Sequence, residues 1–160
     1  MTERRDVTPT GGPETVTVHG SAVALRDYGV LITGDSGSGK TSLAVELLSL
    51  GAELVADDWV RVERAPAGGL VMSPPEPIAG LMELRGIGMV RLPHADQAPL
   101  LAVVDMNREP GARLPETEAR RLLGMRFPVI CGRGRDRLAP AIYAVMRGGG
   151  LVEPGPEPGR

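Results

Sequence analysis

Aromatic side chains are nearly absent from this 160-residue chain, which has one Trp, one Phe and two Tyr. Its core must therefore be filled by Val, Leu, Ala, Ile and Met, which pack by shape rather than by ring geometry. Cysteine occurs once, at Cys131, which excludes an internal disulfide and any cysteine-based metal cluster. Long apolar runs are missing too, and none approaches the ~20 residues of a membrane span. The opening MTERRDVTPTGGPE has no apolar centre of the kind a secretory signal needs, so a cytoplasmic location is expected. The formal net charge is only -2, which gives no general electrostatic reason to bind nucleic acid or an anionic membrane. Lysine is the most informative scarcity: 17 of the 18 basic residues are Arg, and Lys40 is the sole lysine.

What is present is a chain that is 42% hydrophobic and rich in glycine and proline, enough for one globular domain. Residues 1–14 read as a flexible leader and 148–160, GGGLVEPGPEPGR, as a disordered tail, because Gly and Pro without apolar periodicity bury too little surface. The folded part is then 15–147. TVTVHGSAVAL reads as a strand pair or ribbon, and VLIT as a short buried strand. TSLAVELLSL carries Leu and Val at helical spacing and stops at Gly51. ELVADD is a buried strand ending in two carboxylates, WVRVERA an edge strand, and LVMS its hairpin partner across a GG turn. SPPEP is a rigid loop, and IAGLMELRGIGMVRL fits helix and strand equally because its glycines interrupt both patterns. APLLAVVDM predicts another buried strand, PETEARRLLGM a short helix with an acidic start and basic end, and RLAPAIYAVMR an amphipathic helix. Strands interleaved with helices predict an α/β fold with a mixed, partly parallel sheet.

Residues 34–41, GDSGSGKT, fit G-x-x-x-x-G-K-[ST], with an apolar strand before and an amphipathic helix after. Gly34, Gly37 and Gly39 allow backbone angles and close approaches that a Cβ obstructs, so that successive N–H groups of the loop, through Asp35, Ser36 and Ser38, turn into one concavity. The helix start adds its positive end. Lys40 reaches β and γ phosphates, and the hydroxyl of Thr41, followed by Ser42, suits Mg²⁺. The single lysine thus stands at the one place where a phosphate-binding loop requires it.

Asp57 and Asp58 end the strand that follows the loop's helix, at the edge where such folds place ligands. Carboxylates there hold Mg²⁺ or take a proton from a hydroxyl. The sequence does not say which acid does which. His19 precedes the site on an alternating segment. Glu83 and Arg85 supply a metal-binding carboxylate and a phosphate-binding guanidinium, or else a surface ion pair. Arg133, Arg135 and Arg137 form a basic cluster, whereas His94 and Cys131 have no companions that suggest metal or nucleophile chemistry. A guanine-reading NKxD motif and an arginine-rich lid are both missing, which disfavours a GTPase and a nucleoside monophosphate kinase.

VHGSAVAL with His19, YGVLITGDSGSGKTSLAVELL, GAELVADDWV and MELRGIGMV together resemble the catalytic domain of the HPr kinase/phosphorylase family, over about residues 18–91. The resemblance implies a P-loop kinase domain similar to the HPr kinase and phosphoenolpyruvate carboxykinase-like fold. It implies transfer of the γ-phosphoryl of ATP to a serine of the phosphocarrier HPr, and removal of it by phosphorolysis. Lys40 and the loop amides would hold phosphate, and Thr41 with Glu83 would bind Mg²⁺. Asp58, with Asp57, would act as base forward and acid in reverse, beside the active-site histidine, His19. Arg85 and Arg113, the latter in ARLPE, match active-site arginines. A homo-oligomer, hexameric in full-length members, is implied as well. The chain resembles the short form found in alphaproteobacteria, and FPVICGRGRDRLAPAIYAVM departs from the family's PGRN-containing stretch. Two other functions fit a phosphate loop: an ATP- or phosphate-sensing regulatory module without transfer, and a small-molecule kinase, for which no acceptor lid is visible.

Overall fold

The computed structural model describes residues 7–9, 14–111 and 118–152. In chain order its elements are β1 (Val7–Pro9), β2 (Thr15–His19), β3 (Ser21–Leu25), β4 (Tyr28–Thr33), α1 (Lys40–Ser49), β5 (Glu53–Ala56), β6 (Trp59–Arg64), β7 (Leu70–Ser73), β8 (Leu81–Leu84), β9 (Gly88–Arg91), β10 (Ala98–Asp105), β11 (Glu118–Leu122), β12 (Met125–Cys131) and α2 (Leu138–Gly148). The architecture is the expected α/β fold with a mixed, partly parallel sheet: β10 runs parallel to both β4 and β12, and the other pairings are antiparallel.

Ten strands form one bent sheet in the order β1-β2-β6-β7-β10-β4-β3-β5, with β12 joining at β10 and β11 beyond it. Strand β10 makes the bend. Its start pairs with β7 and its remainder with β4 and β12, and the register shifts between Leu100 and Ala102. The β2-β6-β7 wing thereby folds over one face of the β5-β3-β4-β10-β12 wing. Val18, Val60, Val62 and Met72 from the first meet Leu31, Val55, Val103 and Phe127 from the second. Helices α1 and α2 cover the opposite face. Leu43, Ala44 and Leu47 of α1 and Leu138, Ala139, Ile142 and Met146 of α2 pack there with Val30, Ile32 and Val104. Their spacing is that of one helical stripe. Leu31, Leu47, Leu54 and Ile142 are essentially inaccessible, and burying each such side chain contributes about 1.5–3 kcal/mol. Branched and unbranched aliphatics thus fill both layers, as the scarcity of aromatics required.

Several expectations change. TVTVH and SAVAL are both strands but do not pair with each other: β2 lies between β1 and β6, and β3 between β4 and β5. Gly20 separates them where a Cβ would come 2.5 Å from the Ile32 carbonyl oxygen, so the chain crosses from wing to wing in tight contact. Val7–Pro9, inside the stretch read as a leader, is a strand on β2. Strand β6 is interior rather than an edge, although its hairpin with β7 is as expected. The ambiguous MELRGIGMV is a two-stranded hairpin, β8 with β9, separate from the large sheet. The described part of PETEARRLLGM is strand β11, not helix. Arg120 and Leu122 are buried in alternation, and Leu123 and Gly124, both with positive φ, turn the chain into β12 in the manner of a primed hairpin turn. Charge bias at a segment's ends suggested a helix there, but long-range pairing with β12 fixed the strand. The remainder of the segment, and most of the leader and tail, lie outside the described residues.

Candidate active site

The turn Gly34–Gly39 joins β4 to α1 and presents the N-terminus of α1 to a cleft of about 690 Å³. No side chain caps α1, whose N-cap, Gly39, has φ 101°. Its first N–H groups are thus left for a ligand. At Gly34, φ is 148°, and a Cβ would lie 2.5 Å from Ser38 Oγ and 2.9 Å from Met106 Cβ. Only glycine fits there. Lys40 is buried, and its Nζ donates to the Gly34 carbonyl at 2.5 Å and the Asp35 carbonyl at 2.9 Å. The Asp35 N–H donates to Asn107 Oδ1 at 2.9 Å, and the Asn107 N–H to Asp105 Oδ1 at 2.9 Å. The carboxyl end of β10 therefore braces the turn from the side.

Opposite the turn stands the Asp57–Asp58 pair. Strand β5 is parallel to β4 but not adjacent to it: β3 lies between, antiparallel to both. The carboxyl end of β5 reaches the same edge as that of β4, and both acids line the cleft into which the turn opens. The two acids have opposite surroundings. Asp57 is buried, 8% exposed. It accepts a 2.6 Å hydrogen bond from Ser21 Oγ. Burial nevertheless pushes its pKa above the ordinary carboxylate value. Asp58 has φ 71° and a side chain 68% exposed. Its Oδ1 lies 3.3 Å from His19 Nε2. The His19 ring in turn rests against Trp59, with centroids 5.1 Å apart.

The hairpin β8–β9 forms a third wall. Met82, Leu84 and Val90 pack into the helix-side core. Glu83, Arg85, Ile87 and Met89 line the cleft, the last two largely exposed. Of the residues singled out in the sequence, His19, Ser36, Gly37, Gly39, Lys40, Thr41, Ser42, Asp57, Asp58, Glu83 and Arg85 meet around this one cleft. Gly34, Asp35 and Ser38 shape the turn from behind, Ser38 Oγ being buried without a hydrogen-bond partner. Arg113 lies outside the described residues. Sequence reasoning missed Ser21, the one hydroxyl in an otherwise apolar buried strand. It also missed Asn107, for which position just after a buried strand was the available signal. Arg120 was missed as well: buried, it donates to Thr33 Oγ1 at 3.3 Å from the far side of the sheet.

Fold and site together define an α/β domain whose glycine-rich strand-to-helix turn faces an acid pair and a histidine across a cleft. The family model described as HPr Serine kinase C-terminal domain matches residues 13–95. The chain belongs to that family. It is 47% identical over 78 residues to the HPr kinase/phosphorylase of Geobacillus sp. (strain WCH70), an alignment covering 49% of this chain and 25% of that protein. The match thus spans about a quarter of the relative's length. Among solved structures it is similar to the Hpr(Ser) kinase/phosphatase from Coxiella burnetii, with TM-score 0.71, 25% identity, and coverage of 82% of this chain and 88% of that one.

Proposed function

We propose that this protein is an ATP-dependent protein-serine kinase acting on HPr, and that the same groups run the reverse phosphorolysis. The observation that carries the reading is the exposed Asp58 carboxylate, in contact with His19, across the cleft from the Lys40 turn. A serine hydroxyl is a weak nucleophile at neutral pH, so it needs an acceptor for its proton and a neutralised, oriented phosphoryl donor. Asp58 is open to solvent and accepts that proton as the hydroxyl oxygen bonds to the γ-phosphorus and the bond from phosphorus to the bridging oxygen of ADP breaks. In reverse, an oxygen of inorganic phosphate bonds to the phosphorus of the phosphoserine, the bond from that phosphorus to the serine oxygen breaks, and Asp58 returns the proton to the serine oxygen as pyrophosphate is formed. His19 fixes the direction of Asp58 in both.

Lys40 and the turn's N–H groups hold the β and γ phosphates, exchanging the Gly34 and Asp35 carbonyls for phosphate oxygens. Thr41 and Glu83 would hold Mg²⁺. Both offer oxygen, the donor this hard cation prefers, and it takes one or two protein ligands with the rest from phosphates and water. Bound Mg²⁺ supplies neutralisation of the phosphate charge. Arg85 extends over the cleft from the hairpin turn and stabilises charge on the transferred group. The reading places the chain in the cytoplasm, where ATP is available.

The test is to incubate the chain with labelled ATP, Mg²⁺ and HPr, with Asp58→Asn as control. Label on an HPr serine that vanishes in the variant is the expected result. ATP binding without transfer would instead make the chain a nucleotide-sensing module. Phosphorylated HPr with inorganic phosphate should yield pyrophosphate, and its absence would remove the reverse reaction.

A further inference from the structure

Lys40 and Arg120 are the two buried cations among the described residues, and they converge on consecutive positions. Lys40, from α1 on the helix side of the sheet, donates to the Gly34 carbonyl at 2.5 Å. Arg120, from β11, donates through Nη1 to Thr33 Oγ1 at 3.3 Å. Thr33 is the last residue of β4 and is 2% exposed. Alternation along β4 puts its side chain on the face of Leu31, which is turned toward the β2-β6-β7 wing. The root of the glycine-rich turn is thus held by one cation from each side of the sheet.

The two cations differ in how they are satisfied. Lys40 has a second acceptor in the Asp35 carbonyl at 2.9 Å. Arg120 carries several N–H donors in a rigid fork, yet its Nη2 is buried with no hydrogen-bond partner. Among the described residues no carboxylate pairs with it, and the one buried acid there, Asp57, bonds to Ser21. A guanidinium is not deprotonated in proteins, and a buried charge without a counter-charge destabilises a fold. Nor does packing call for it. Leu122 on the same strand and Phe127, its cross-strand neighbour, belong to the core between the wings, where Met would serve as filler. A nearby anion would offset the burial of this charge, and the turn that is shaped to receive one begins at the residue after Thr33.

We propose that Arg120 is a positioning residue of the phosphate site, which fixes Thr33 and hence the start of the turn, and whose uncompensated charge strengthens the field that attracts phosphate there. The inference rests on the reading that the Gly34–Gly39 turn holds the phosphates of ATP. Thr33 passes the contact on. Its hydroxyl donates to the Val104 carbonyl at 3.4 Å, and its own carbonyl accepts the Met106 N–H at 2.8 Å. Arg120 thereby joins β11 to the carboxyl ends of β4 and β10, between which the turn is braced. Its charge also acts through space, because buried charges are screened far less than exposed ones. Phosphate binding then offsets a destabilisation that the free chain carries.

Arg120→Met separates this role from a structural one, because affinity and stability should move in opposite directions. Calorimetric titration of the full chain with ATP and Mg²⁺ should give a Kd about tenfold weaker than wild type. The melting temperature without nucleotide should hold or rise, since an unpaired buried charge is gone. A fall in melting temperature, the mark of a residue that only supports the fold, would overturn the proposal, as would unchanged affinity. Arg120→Lys, which keeps the charge and loses the fork, should bind ATP with an affinity between the two. Thr33→Val keeps the shape without the hydroxyl and should weaken ATP binding several-fold. The double variant should bind no more weakly than Arg120→Met alone, and additive losses would overturn the path through Thr33. If Arg120→Met does not fold, Thr33→Val decides, and wild-type affinity in that variant would overturn the proposal. A wild-type chain that binds ATP and transfers nothing to HPr would defeat the function proposed above and leave the role of Arg120 standing. One that binds neither ATP nor pyrophosphate would overturn both.

Discussion

The two sides of the cleft are built in different ways. The side proposed to hold the phosphoryl donor is one continuous piece, β4, the Gly34–Gly39 turn and α1, whose cleft-lining residues lie within a few positions of one another. The side proposed to receive the acceptor is an assembly: His19 from β2, Asp58 from the turn after β5, and Glu83 and Arg85 from the β8–β9 hairpin. The first is held by local backbone geometry, with Lys40 folded back on its own loop. The second is held by contacts between residues 36 to 39 apart in sequence, Ser21 with Asp57 and His19 with Asp58. A phosphate site can be encoded locally because backbone N–H groups do the binding. Proton transfer needs side chains from several elements to converge.

The comparison can be broken most forcefully at Asp58. Asp58→Asn should lower kcat for HPr phosphorylation about 10³-fold and leave the KM for ATP and the melting temperature near wild type. Asn tolerates the left-handed backbone of this exposed site. Lys40→Ala should cost about 10²-fold in kcat/KM, and should weaken ATP binding as well, which equilibrium titration will show. If the two variants have the same profile, the division into donor and acceptor sides is wrong.

Smaller effects sharpen the contrast through stability. Gly34→Ala forces a Cβ against Ser38 and Met106 at positive φ. It should destabilise the chain by about 1–3 kcal/mol in urea titration, whereas Ile87→Ser at the exposed hairpin tip should stay within about 0.5 kcal/mol. The smallest effect is a pH dependence. Burial raises the Asp57 pKa, so between the ordinary and the raised values the folded chain binds more protons than the unfolded one. Stability attributable to this group therefore falls as pH rises through that interval. Melting curves across the acid range, in chelator, should show that slope in wild type and its loss in Asp57→Asn.

Legibility followed the same divide. The turn, α1, β5 and β10 were readable because local patterns carry them: a glycine spacing, a helical stripe, an apolar run. Segment 118–122 was misread as helix because acidic and basic residues at the ends of PETEARRLLGM imitate helix termini, while the partner that makes it a strand, β12, went unrecognised across its Pro128. MELRGIGMV could not be assigned because its glycines suit a hairpin only once Met82 and Val90 are seen to share a core face. The pair Asp57 and Asp58 was found, but their difference in burial was invisible, since both follow the same apolar strand.

By itself the sequence determined that a glycine-rich loop with the chain's sole lysine sits on a strand-to-helix turn, because that geometry depends on contiguous residues and on glycine's backbone freedom. It also carried, through resemblance, the family to which the chain belongs. Only the tertiary structure decided which acid is buried and which is exposed, that Ser21 bonds to the first and His19 meets the second, and that the hairpin lines the same cleft. Those are relations between distant segments, set by how the sheet bends and where its strands end, and no local pattern records them.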